Sequence, residues 1–147
     1  MDIDGEDKSD DSGFSVSLSA DGSTAIIGAP FNDGNGDFSG HARIYRYSES
    51  SQQWQQLGPD IDGEAAGDAS GWSVSLSADG FTAIIGAPGN DENGNSSGHA
   101  RIYRYNDSSL QWQQLGMDID GEASFDFSGN SVSVSYTHLT LPTIYAV

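Results

Sequence analysis

One register constrains this chain more than any other feature. Asp2-Ile3-Asp4-Gly5-Glu6 recurs at Asp60-Ile61-Asp62-Gly63-Glu64 and again at Asp118-Ile119-Asp120-Gly121-Glu122, a step of 58 residues each time. Between the first two copies about three quarters of the positions are identical. Self-similarity at this period signals a solenoid, a propeller or a tandem array, in which each unit is one supersecondary element that buries its apolar face only against a neighbour. The units run over residues 2–58 and 60–116, with a third beginning at 118–133. The differences between copies fall in loops (Asp7/Ala65, Lys8/Ala66, Gly34/Glu92) and at a few apolar positions such as Phe14/Trp72.

Within a unit the pattern is that of strands. Trp72, Val74 and Leu76 alternate with Ser73, Ser75 and Ser77, a period of two with one apolar and one small-residue face. Ala78-Asp79-Gly80 follows as a tight hairpin signal. The continuous apolar run Thr82 to Gly86 suits a strand covered on both faces, and Gly86-Ala87-Pro88 ends it because proline donates nothing to a ladder. His99 to Tyr105 is aromatic and β-branched, and Gln111 to Leu115 is a fourth, more polar strand suited to an outer position. The first unit predicts the same strands near Phe14–Ser19, Thr24–Gly28, His41–Tyr47 and Gln53–Leu57, and the acidic stretch Asp60 to Gly71 predicts a loop. No segment has a helical period. The expected fold is all-β, a tandem of four-stranded antiparallel blades amounting to about two and a quarter blades of a β-propeller.

The residues resemble a known family. Gly13-Phe14 and Gly71-Trp72, then Gly28-Ala29-Pro30 and Gly86-Ala87-Pro88, then the aromatic strand, are similar to FG-GAP repeats. Those repeats build the β-propeller of integrin α-subunits and of many bacterial and protist surface proteins. The resemblance spans nearly all of residues 1–133. It implies an extracellular binding or adhesion module whose partner is a protein or a carbohydrate at a cell surface. The alternatives are the propeller domain of a secreted hydrolase or lyase, and a purely structural array. An enzyme is not expected, because no feature near the central axis breaks the repeat symmetry in the way a single active site does. The family's calcium loop, between its first and second strands, is replaced by the short turns Ala20-Asp21-Gly22 and Ala78-Asp79-Gly80, so its ligands are not carried over.

The balance of 22 acidic against five basic residues gives a net charge of −17. That excludes a polyanionic partner such as nucleic acid and favours cations or basic partners. There is no cysteine, hence no disulfide framework. No apolar run approaches membrane-spanning length. Met1 falls in phase with Met117, so the chain is expected to begin partway through a longer protein. Val134 to Thr143 resembles a translated sequencing adapter, and residues 134–147 are expected to be a non-native tail.

Candidate chemistry is sparse. Asp33, Asn35 and Asp37, with their copies Asp91, Asn93 and Asn95, place oxygen side chains at alternate positions, as Ca²⁺ coordination wants; the same residue types also make Asx-turns onto their own backbone. Asp60, Asp62, Glu64 and Asp68, with Asp2, Asp4, Glu6 and Asp10, read as solvated acidic loops. Arg43, Arg46, Arg101 and Arg104 are expected to pair with carboxylates, and His41 and His99 to be structural. Trp54 and Trp112 offer a carbohydrate platform or, more ordinarily for a repeated aromatic, packing between blades. Asn95-Ser96-Ser97 and Asn106-Asp107-Ser108 are glycosylation sequons on a eukaryotic secretory route.

Overall fold

The computed structural model of the protein describes residues 1–134. Two antiparallel sheets follow one another along the chain. The first is built from β1 (Ser15–Leu18), β2 (Thr24–Ala29), β3 (His41–Ser48) and β4 (Gln53–Gln56), in that spatial order. The second repeats it with β6 (Ser73–Leu76), β7 (Thr82–Ala87), β8 (His99–Asn106) and β9 (Gln111–Gln114). Pairing is in the same register in both: Val16 faces Ile27 and Ile26 faces Ile44, as Val74 faces Ile85 and Ile84 faces Ile102. Every strand expected from the pattern is present, with ends shifted by a residue, and the glutamine-rich strand is the outermost.

The acidic stretch expected to be only a loop does more. Ile61–Asp62 forms a short strand, β5, that pairs with His41 and Ala42 at the start of β3; Ile119–Asp120 forms β10 against Ala100 and His99. β4 covers only the far half of β3, from Tyr45 to Ser48. The chain bends at Gly58-Pro59 and re-enters the same sheet edge, where β3 still has unpaired backbone groups to satisfy. A two-residue strand has too little sequence to show a period, which is why pattern alone misses it.

The core lies between the sheets. Ile26, Ala42 and Ile44 of the first meet Val74, Leu76, Ala83 and Ile85 of the second, joined by Ile61 and Trp112. The matching residues on the other face of the first sheet have no such cover: Val16 and Leu18 are 62% and 60% exposed, against 7% and 5% for Val74 and Leu76. One sequence, two environments: burial here comes from the neighbouring unit and not from the unit itself.

The serine rows join the sheets. Ser15 Oγ donates to the Gly71 carbonyl at 2.8 Å, and Ser73 Oγ does the same to Gly129 at 2.7 Å. Ser17 Oγ accepts the Leu76 N–H at 3.2 Å, and Ser75 Oγ accepts that of Val134 at 3.0 Å. Serines of the first unit thus bond the free edge of β6 and the turn before it, and serines of the second do the same for Gly129 and Val134. Residues 135–147, which carry most of the expected tail, lie outside the described residues.

Candidate functional site

The loops entering β1, leaving β2 and entering β3 all lie at one end of the sheet, since antiparallel strands place these termini together. That end carries an aromatic cluster. Phe14 packs on Trp72 with ring centroids 4.6 Å apart, and Phe31 lies edge-on to Phe14 (6.2 Å), Trp72 (6.1 Å) and Phe38 (5.7 Å). Phe14 is 46% and Phe38 53% exposed. Beyond it, Phe125 and Phe127 are also exposed, 6.3 Å apart, and Ala69, Trp72, Pro88, Gly89, Phe127 and Asn130 line a mostly apolar recess. Phe38, Phe125 and Phe127 have φ of 56°, 66° and 52°, left-handed backbone that is costly for a bulky side chain.

The repeat loses its symmetry here. Phe14 corresponds to Trp72 and Asn130, Phe31 to Gly89, and Phe38 to Ser96, whereas the strands hardly differ. Of these aromatics only the Phe14/Trp72 exchange stands out in the sequence. Phe31 and Phe38 join it because loop closure brings them together, and the available signal was a bulky residue where the sister copy has glycine or serine.

Beside the cluster lie the Asp/Asn loops. Asp33 Oδ1 accepts the Phe38 N–H at 2.8 Å, and Asp91 Oδ1 that of Ser96 at 2.7 Å. Asn35 Nδ2 donates to the carbonyls of Gly63 (2.7 Å) and Glu64 (3.2 Å), and Asn93 Nδ2 to that of Gly121 (2.7 Å). Each loop therefore shapes itself with its first Asp and clamps the following acidic stretch with its Asn. Asp37 and Asn95, the third members, are exposed. Asp10 and Asp68, expected in solvated loops, are instead buried: Asn32 Nδ2 donates to Asp10 at 2.8 Å, and Asn90 Nδ2 to Asp68 at 3.0 Å. The Asn that follows Gly-Ala-Pro supplies the donor each carboxylate needs to leave water.

A charged cluster sits on the other side of the same sheet end. Arg101 donates to both oxygens of Asp118 at 2.7 Å and to Glu64. Those hydrogen bonds raise the Arg101 pKa although burial alone would lower it. The Arg101 contact holds Asp118 at about 2, below the usual carboxylate value. Burial pushes the Tyr103 hydroxyl up, with Arg101 opposing. In the first unit Arg43 donates to the Asp4 carbonyl at 2.9 Å and lies 3.5 Å from Glu6. Arg43 and Arg101 thus behave as expected. Among the described residues Arg46 pairs with no carboxylate and lies over the Phe81 ring at 4.4 Å, a cation–π contact between units. Trp112 is buried between the units and donates its indole N–H to the Leu57 carbonyl at 2.8 Å, so it packs and offers no sugar platform; Trp54 packs against Tyr47.

Stacked antiparallel sheets, the inner strand of the second bonded by serines of the first, with the loops that enter β1 and β3 gathered at one end, define a repeat module of the β-propeller class. Within that class the match is specific. Residues 3–45 and 60–103 each match the FG-GAP repeat, together more than half of the chain, and the chain belongs to that family. No curated protein matches it. Modules of this family are typically binding or structural domains.

Proposed function

We propose that the chain is a binding module of extracellular type, whose ligand, a protein or carbohydrate at a cell surface, meets the Phe14–Phe31–Phe38–Trp72 end. The aromatic cluster at which the two copies diverge carries this reading. Structural roles repeat with the unit, as the serine and Asn–Asp bonds do; a cluster that occurs once among the described residues and exposes aromatic faces suits a single ligand. Flat aromatic rings beside hydroxyl and amide groups supply both the apolar and the polar contacts a sugar or a loop-shaped protein epitope needs. The test is titration with a panel of neutral oligosaccharides and with solubilised cell-surface proteins, followed by tryptophan emission and by surface capture. Binding that Phe14→Ala and Trp72→Ala weaken, with the thermal midpoint retained, supports the reading; binding indifferent to both removes it.

Calcium at Asp33, Asn35 and Asp37, and at Asp91, Asn93 and Asn95, is part of the same proposal. The side-chain oxygens not engaged with backbone are available to a hard cation. Calorimetry with Ca²⁺ gives heat that Asp33→Ala with Asp91→Ala reduces; no heat at millimolar calcium eliminates it.

A further inference from the structure

We propose that Glu64, Glu92, His99 and Asp118 bind a divalent transition-metal cation of the zinc type, and that the ion ties the second sheet to the segment closing the first. His99 opens β8, and Asp118 immediately precedes β10 beside it. Glu92 comes from the loop between β7 and β8, and Glu64 from the stretch that follows β5 in the first sheet. One ligand atom from each of the four lies within 4.8 Å of all the others.

The acids alone would mean little in so acidic a chain. The histidine sets this group apart. His99 is 3% exposed, and its Nδ1 is the one buried side-chain polar atom without a hydrogen-bond partner among the described residues. Nδ1 lies 3.7 Å from Asp118 Oδ2. That is too long for a hydrogen bond. It is close to the roughly 3.4 Å that separates two donors each about 2.0–2.2 Å from a tetrahedral zinc. A small pocket lined by Glu64, His99 and Arg101 opens at this point between the sheets.

Arg101 does not close the site. A carboxylate has about four lone-pair positions. Asp118 is held by Arg101 and Gln114 and still has one for a metal, and Glu64, which accepts from Arg101 at Oε1, also keeps free positions. Such outer hydrogen bonds are what orient metal-binding carboxylates. Imidazole nitrogen selects zinc-like ions over calcium, which takes oxygen. The same triple, Glu6, His41 and Asp60, recurs one period earlier, with His41 Nδ1 3.8 Å from Asp60 Oδ2. That copy has Gly34 where the second has Glu92, so it lacks a ligand and binds more weakly.

The test uses the full chain with Zn²⁺, and Co²⁺ as a spectroscopic substitute. Zn²⁺ raises the thermal midpoint where equimolar Ca²⁺ does not, and Co²⁺ gives the intense visible bands of a tetrahedral site. His99→Ala removes the bands of the tighter site. Glu92→Gln, at an exposed position that folding does not need, weakens zinc by at least about 10-fold. His41→Ala leaves the tighter site intact. Absence of zinc-induced stabilisation and of cobalt bands in the wild type overturns the proposal, and so does undiminished binding in Glu92→Gln or in a folded His99→Ala.

Discussion

The glycine of Gly-Ala-Pro shows what a single residue does in this fold. Gly28 sits in β2 where the Gly71 backbone of the next unit passes against it, and Ser15 Oγ bonds the Gly71 carbonyl beside it; Gly86 and Gly129 repeat the arrangement. A methyl group at either position meets backbone that cannot move aside without parting the sheets. Gly28→Ala therefore costs about 1–3 kcal/mol in urea unfolding, whereas alanine normally helps a strand. The sequence shows that this glycine repeats but not what approaches it, because the approaching carbonyl lies 43 positions along the chain. Asp118 gives a second test. Its pKa is lowered from 3.8 to about 2 in the folded chain, chiefly by Arg101. A carboxylate depressed on folding stabilises above its unfolded pKa, and that contribution is lost as pH falls from about 4 toward 2. The thermal midpoint of the wild type consequently drops more steeply over that window than that of Asp118→Asn.

At the scale of the element, equal strands are not equal in energy. β4 and β9 share the sequence Gln-Trp-Gln-Gln, yet Trp112 is buried with its indole bonded to Leu57, while Trp54 is half-buried at the edge of the first sheet. Trp112→Ala is expected to cost about 3–5 kcal/mol and Trp54→Ala distinctly less, by denaturant unfolding of each. The strands themselves were legible because alternation and apolar runs are local signals. Their pairing order followed from short connections. Four things were not legible. β5 is too short to show a period, the burial of Asp10 and Asp68 depends on Asn32 and Asn90 twenty-two residues away, Arg46 finds its partner in the next unit, and Phe31 and Phe38 join Phe14 only through loop closure. Each of these is set by non-local geometry. The candidate site was therefore visible as scattered differences between copies, and the structure supplies their convergence.

At the scale of the whole chain, the two sheets stack and the first has one uncovered face. Val16 and Leu18 present the face that in the second unit is covered. Sedimentation is expected to show the chain associating through this face as concentration rises, more strongly at high salt, because screening relieves the repulsion between copies of net charge −17. A chain that stays monomeric in high salt and at high concentration argues against that. Stacking of one unit on the next, and not the unit's own sequence, stabilises the fold. It is tested most directly by a matched pair of substitutions, Leu18→Ala and Leu76→Ala, unfolded in urea at a concentration where the chain is monomeric. The two leucines occupy the same repeat position in the same strand sequence. Leu76→Ala is predicted to lose about 2–5 kcal/mol, and Leu18→Ala less than about 1 kcal/mol. Equal losses at the two positions would contradict the account.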